Sequence, residues 1–285
     1  MKQTRREVLR SLAGAAVGTG LISAAEKPQQ PVLCVYSGSM MQVGYPELGE
    51  IVSQLGFDGV DLTVLPGGHV EPRMAPVDLV RAIESIKGAN LSVPIITTSL
   101  ASPAEPWCRT VLALPARSGV GIFKCAQPRR AAGMQMRRDL FGLAYIGHEY
   151  GISMAIPTGE PNAFPLDLAQ RLVSELAANG AGLSLSAQLF FGPSALDEET
   201  LNGLLPNVKA VTVFDFVVGT DHSYEWKPLG EGSVNFERMF KALAVAHFNG
   251  PVTVKRLYAA KDEPGAMAKD AEFIKKHFSV FKHQS

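Results

Sequence analysis

The chain has 285 residues, 46% hydrophobic and 19% charged, and its 27 basic residues balance 27 acidic ones. A neutral chain without basic clusters argues against nucleic acid as the main partner. Three widely spaced cysteines, Cys34, Cys108 and Cys125, argue against a disulfide framework.

The first 25 residues read as an export signal. Lys2, Arg5, Arg6 and Arg10 precede a small and apolar run that ends in Ser23-Ala24-Ala25. Basic region, apolar region and small-residue cleavage site, in that order, make a secretory signal. Arg5-Arg6 followed by Val8 and Leu9 resembles the twin-arginine type. The alternative, a membrane anchor, needs roughly 20 strongly apolar residues, and this run is shorter and rich in Gly and Ala. Cleavage near Ala25 would leave an exported, periplasmic domain over 26–285 with no membrane attachment. Without those four basic residues and Glu7, 23 basic residues face 26 acidic ones.

From Pro31 onward, apolar runs of strand length alternate with helical patterns. The first strand is VLCVYS (32–37), followed by a helix over 45–56 with Leu48, Ile51, Val52 and Leu55 on one face and a stop at Gly56. GVDLTV (59–64) runs into a Gly67-Gly68-His69 loop, then a helix over 75–90 with Pro76 in its first turn. Strands at 93–99 and 121–126 precede a helix over 136–151. A strand at 152–157, a helix over 164–180 and a strand at 182–187 come next. The segment 197–206 is short and poorly periodic; a strand over 209–216, a helix over 235–250 and a strand over 251–258 complete the series. Several strands are apolar on both faces, as strands buried on both sides of a parallel sheet are. The helices that close on glycine before the next strand follow helix C-terminal chemistry.

Eight strand–helix pairs predict a single α/β domain, a (β/α)₈ TIM barrel. The alternative is an open doubly wound sheet, but no G-x-G-x-x-G follows the first strand, and neither a P-loop nor zinc-finger spacing occurs.

In such a barrel, function gathers at the C-terminal ends of the strands. In order these ends carry Tyr36 and Ser37; Asp61, with His69 beyond; Thr97 and Thr98; Lys124 and Gln127; Thr158, Glu160 and Asn162. Ser186 and Gln188, then Asp215, then Lys255 and Arg256 complete the rim. Hydroxyls and amides dominate it, which suits a polyol or sugar better than an apolar ligand. Asp61, His69, Glu160 and Asp215 are the candidate catalytic groups. Thr97, Lys124, Lys255 and Arg256 are the candidate substrate-binding groups. Each has a plainer alternative: Asp61 as a loop anchor, His69 as a structural residue, Asp215 in a salt bridge with Lys255 or Arg256.

The stretch LGFDGVDLTVLPGGHVEP (55–72) resembles the second βα segment of the sugar phosphate isomerase/epimerase family, the xylose-isomerase-like barrels. VPIITTSL (93–100), VFDF (213–216) and the segment 226–254 extend the resemblance in the right order. It implies a TIM barrel that binds a divalent metal, Mn²⁺, Mg²⁺ or Zn²⁺, through acidic and imidazole ligands of strands five to eight. The metal would polarise sugar oxygens while a carboxylate moves a proton between neighbouring carbons.

This chain departs from that pattern where the metal would sit. Pro157 and Thr158 stand where a strand-five ligand is expected, Ser186 and Leu189 stand for the Asp and His of strand six, and Lys255-Arg256-Leu257 stand for the Glu of strand eight. A like charge about 4 Å away costs roughly 4 kcal/mol per unit charge at an effective dielectric near 20, so a cation there disfavours a metal. Two expectations follow. One is an exported sugar or keto-sugar isomerase or epimerase with rebuilt acid–base chemistry. The other is a catalytically degenerate barrel that binds a carbohydrate, sugar acid or other anion without a metal. Oligomerisation is compatible with both.

Overall fold

A computed structural model describes residues 30–127, 133–160, 163–192 and 195–283; the expected signal segment 1–25 and Asn162 lie outside them. Eight parallel strands close into a barrel: β1 (Val32–Tyr36), β2 (Gly59–Val64), β3 (Ser92–Thr98), β4 (Ile122–Lys124), β5 (Ser153–Thr158), β6 (Gly182–Ser186), β7 (Val208–Val213) and β10 (Pro251–Val254). The ring closes where β1 pairs with β10, Val32 opposite Pro251 and Val35 opposite Val254. A separate antiparallel hairpin, β8 (Asp215–Val218) with β9 (Tyr224–Lys227), follows β7.

Helices alternate with the barrel strands: α1 (Tyr45–Gln54), α2 (Ala75–Gly88), α3 (Cys108–Arg117), α4 (Gly133–Tyr150), α5 (Leu166–Leu176), α6 (Glu198–Leu204), α7 (Phe236–Val245) and α8 (Glu263–His277). Every residue of β2, β6 and β10 is buried, because helices cover one face and the filled interior covers the other. The helices supply apolar stripes at helical spacing, as Leu79, Ala82, Ile83 and Ile86 do on α2. Three helices start on a side-chain cap that accepts a backbone amide: Asp197 from Thr200, Asn235 from Arg238, and Asp262 from Gly265. Cys34, Cys108 and Cys125 are all buried free thiols. Among the described residues no helix is long and apolar enough to cross a membrane.

The expected barrel is present, with three revisions. The strand expected over 209–216 breaks at Phe214: Asp215 begins the hairpin instead of ending a barrel strand. The last barrel strand stops at Val254, so Lys255 and Arg256 belong to the loop after it. Helix α3, unread in the sequence, contains Pro115 and starts after Trp107, whose φ of 67° is left-handed, with no side-chain cap. Its usual start signals are therefore missing.

Candidate functional site

Polar side chains converge at the C-terminal mouth of the barrel. The strand register brings the first of them together: Asp61 lies beside Tyr36 on one side and Ile95 on the other, and Lys124 lies beside Thr97. Asp61 is fully buried. Its Oδ1 accepts from the Thr97 hydroxyl at 2.7 Å, and its Oδ2 lies 3.5 Å from Lys124 Nζ. Lys124 in turn reaches across the interior from β4 to β7 and donates to Thr212 Oγ1 at 3.0 Å. A buried ammonium has to be paired and hydrogen-bonded, and Asp61 and Thr212 meet that need.

The second ion pair sits above the first. Lys255 Nζ donates to Glu160 Oε2 at 2.7 Å and lies 5.4 Å from the centre of the Tyr36 ring. Glu160 is aimed inward by the turn that precedes it. Gly159 has φ of +78°, and a Cβ there would lie 2.6 Å from Leu189 Cγ and 2.8 Å from Ser186 Oγ. Only glycine satisfies both the backbone angle and the space. The Ser186 hydroxyl donates to the Gly159 carbonyl, and the Thr158 hydroxyl donates to the Phe164 carbonyl at 2.8 Å, which pins both ends of the turn.

Burial opposes ionisation of Glu160, but the charges of Lys124 and Lys255 outweigh it and hold the carboxyl below its usual value. Its Oε1 is buried and has no hydrogen-bond partner. Burial, reinforced by the charges of Asp61 and Glu160, pushes the Tyr36 phenol up to about 12, so it remains a protonated donor. These groups line a pocket of about 270 Å³, with Tyr36, Thr97, Lys124, Gln127, Glu160 and Lys255 as its polar wall and Cys125, Ala126, Pro157 and Ala163 as its apolar one. The volume sits just below the roughly 300–1,000 Å³ typical of small-ligand pockets.

Asp61, Glu160, Thr97, Lys124 and Lys255 are thus brought together as the sequence suggested. His69, Asp215 and Arg256 are not. The His69 ring is 3.0 Å from the Val43 carbonyl through Nε2 and 3.4 Å from the Thr63 hydroxyl through Nδ1, joining the loop after β2 to the loop after β1. Asp215 is 2% exposed and receives four backbone amides, from Phe216, Gly230, Gly232 and Val234. It organises the return of the hairpin, and neither Lys255 nor Arg256 pairs with it. Arg256 points outward, where its guanidinium donates to the Tyr258 carbonyl at 2.9 Å and meets Glu263 at 3.2 Å. The expected convergence of Asp61, His69, Glu160 and Asp215 does not occur.

Sequence reading ranked Tyr36 only as a strand-end residue and missed Thr212. Thr212 shares the two-residue period of Ser184 and Ser186 on the neighbouring strand, with which it is in register. Polar residues at alternate positions of strands otherwise apolar were the signal.

No protein-family model and no curated protein matches the chain. Solved structures do match in fold. A xylose isomerase-like TIM barrel protein from Mycobacterium smegmatis, solved in complex with magnesium, superposes with a TM-score of 0.66 at 16% identity, over 88% of this chain and 98% of that one. A D-allulose 3-epimerase from Methylomonas sp. gives 0.65 at 14% identity, over 88% and 99%. A 3-keto-D-glucoside 4-epimerase from E. coli gives 0.64 at 13% identity, over 87% and 100%. The structural neighbours are sugar epimerases and isomerases on the xylose isomerase-like barrel.

The donor set at this mouth does not fit the divalent metal that such a barrel implies. Among the described residues no three His, Cys, Asp or Glu side chains stand close enough to hold one. The two carboxylates present, Asp61 and Glu160, each already face an ammonium. A divalent cation would have to displace Lys255 and sit against both lysine charges.

Proposed function

We propose that this chain is a sugar isomerase- or epimerase-like protein whose mouth works through its own charged side chains, on a small neutral polyhydroxy carbonyl compound. The fold of the structural neighbours supports the general kind, and the mouth supports the particulars. One observation carries the reading: Glu160 is held ionised between two ammoniums while its Oε1, buried in the pocket, lacks a partner. A buried acceptor without a donor is costly, and a ligand hydroxyl or an acidic C–H next to a carbonyl would fill that position.

Isomerisation and epimerisation of such compounds begin with removal of the proton on the carbon beside the carbonyl. Glu160 Oε1 is the base for that step and returns the proton to the same carbon or its neighbour. The negative charge that develops on the enediolate oxygen is offset by the ammoniums of Lys255 and Lys124, with the Tyr36 hydroxyl as a donor. Asp61 and Thr212 keep Lys124 fixed so that its charge is present before reaction.

The same pairing argues for a neutral ligand. Each mouth lysine already faces a carboxylate, and Arg256 is engaged outside the pocket. A phosphate or sugar acid would find no unpaired cation. A second reading, a barrel that binds such a compound without turning it over, is favoured by the loss of the metal ligands.

Incubation with small neutral ketoses and aldoses in D₂O, followed by NMR of the sugar C–H positions, separates the two. The proposal expects deuterium to enter beside the carbonyl, and Glu160→Gln to slow entry by about 10²–10⁴-fold. Binding without exchange supports the second reading, and the absence of both binding and exchange overturns the two together.

A further inference from the structure

We infer that Lys255 captures the carbonyl substrate covalently as an imine, with Glu160 as the group that moves the protons. The inference rests on the proposed function, which makes the mouth a carbonyl-sugar site. The two mouth lysines differ in what this chemistry needs. Lys124 is 8% exposed in its side chain and held by both Asp61 and Thr212. Lys255 keeps 27% of its side chain exposed, lines the pocket, and has Glu160 as its one hydrogen-bonded side-chain partner among the described residues.

An ammonium is not a nucleophile; a lysine that attacks a carbonyl needs a base within hydrogen-bond reach. Glu160 Oε2 stands at 2.7 Å from Nζ, on a carboxylate shared electrostatically with Lys124. Oε1, buried and without a partner, is positioned to hold the hydroxyl that must leave. The apolar side of the pocket, Pro157, Ala163, Cys125 and Ala126, limits the water that would reverse the step.

The step balances without a co-reactant. Lys255 passes a proton to Glu160, and the neutral amine adds to the carbonyl carbon, forming the C–N bond and breaking the C=O π bond. The resulting alkoxide is protonated to a carbinolamine. Its hydroxyl takes the proton held by Glu160 and departs as water, leaving a protonated imine. One ammonium and one carbonyl have become one iminium and one water. The iminium then withdraws electrons from the neighbouring C–H more strongly than a carbonyl does.

Full-length protein incubated with dihydroxyacetone or D-fructose in the presence of sodium cyanoborohydride tests this. The expected result is one stable adduct per chain, with a mass gain equal to the sugar less one oxygen, on the peptide that contains Lys255. Lys255→Arg keeps the cation but cannot form an imine, and is expected to lose the adduct with its thermal unfolding unchanged. Adducts scattered over surface lysines such as Lys269, or absent from the Lys255 peptide of the native protein, overturn the inference whether or not the variant folds. Deuterium exchange without an adduct would leave the proton-transfer reading standing and remove the imine. An adduct at Lys255 without exchange would keep the imine and remove the isomerisation.

Discussion

The ring of His69 lies at the correct end of β2 for chemistry, yet both of its nitrogens are directed at the protein's own loops. Burial lowers its pKa, and the carbonyls of Val43 and Met40 offset only part of the effect. A folded value below the ordinary value near 6.5 means that the unfolded chain binds more protons between the two. The stability this contributes is complete above about pH 6.5 and is lost as pH falls through the folded value. Urea midpoints measured from about pH 7.5 down to about pH 5 should therefore fall in the native protein. In His69→Gln, which keeps a donor for Val43 but cannot titrate, that part of the slope should vanish. Glu160 differs from His69 in one respect that sequence does not record. Both follow a strand end by a few residues, but only the turn at Gly159 directs its side chain inward.

At the scale of elements, the hairpin of β8 and β9 is the unit that most changes the reading of the site. It begins one residue after β7 ends, and its rings pack as a small cluster: Tyr224 and Trp226 stack with centroids 5.8 Å apart, and Phe216 meets Tyr224 edge-on at 5.0 Å. Asp215 anchors the return of the chain from this hairpin, and Gly232 passes so close that a Cβ would lie 2.1 Å from Asp215 Oδ1. Asp215→Ala would leave four amides without their acceptor. It should lower the unfolding free energy by about 3 kcal/mol or more, measured by urea titration of tryptophan fluorescence. The corresponding loss of imine trapping should be far smaller than for Lys255→Arg. The sequence run KAVTVFDF is uniformly apolar and β-branched up to its Asp, so nothing in its pattern separates the barrel strand from the hairpin strand. The break at Phe214 is a tertiary event, imposed by the amides at 230–234 that collect on Asp215.

At the scale of the molecule, the alternation of strands and helices made the barrel legible, because each strand buried on both faces needs an apolar run and each crossover needs a helix of fixed handedness. The rim was legible as a set of positions. What could not be read was direction: whether a side chain two or three residues past a strand turns toward the axis, as Glu160 and Lys255 do, or away from it, as Arg256 does. That choice decides the chemistry of the mouth. With two lysines and two carboxylates facing one another there, ligand binding should survive exhaustive EDTA treatment. The thermal shift produced by a bound neutral ketose, recorded before and after chelation, should be unchanged, and elemental analysis should find divalent metal well below one equivalent. A shift abolished by EDTA and restored by Mn²⁺ would overturn the metal-free site.

The pairing of β1 with β10 also sets an order of assembly. Tyr36 comes from the first barrel strand and Lys255 from the residue after the last, so the two meet only when the ring has closed. A chain still emerging from the ribosome holds Asp61, Lys124 and Glu160 long before it holds Lys255, and during that interval Glu160 lacks its 2.7 Å partner. The pocket is therefore the last part of the protein to come into being, and any C-terminal truncation that removes β10 removes it entirely.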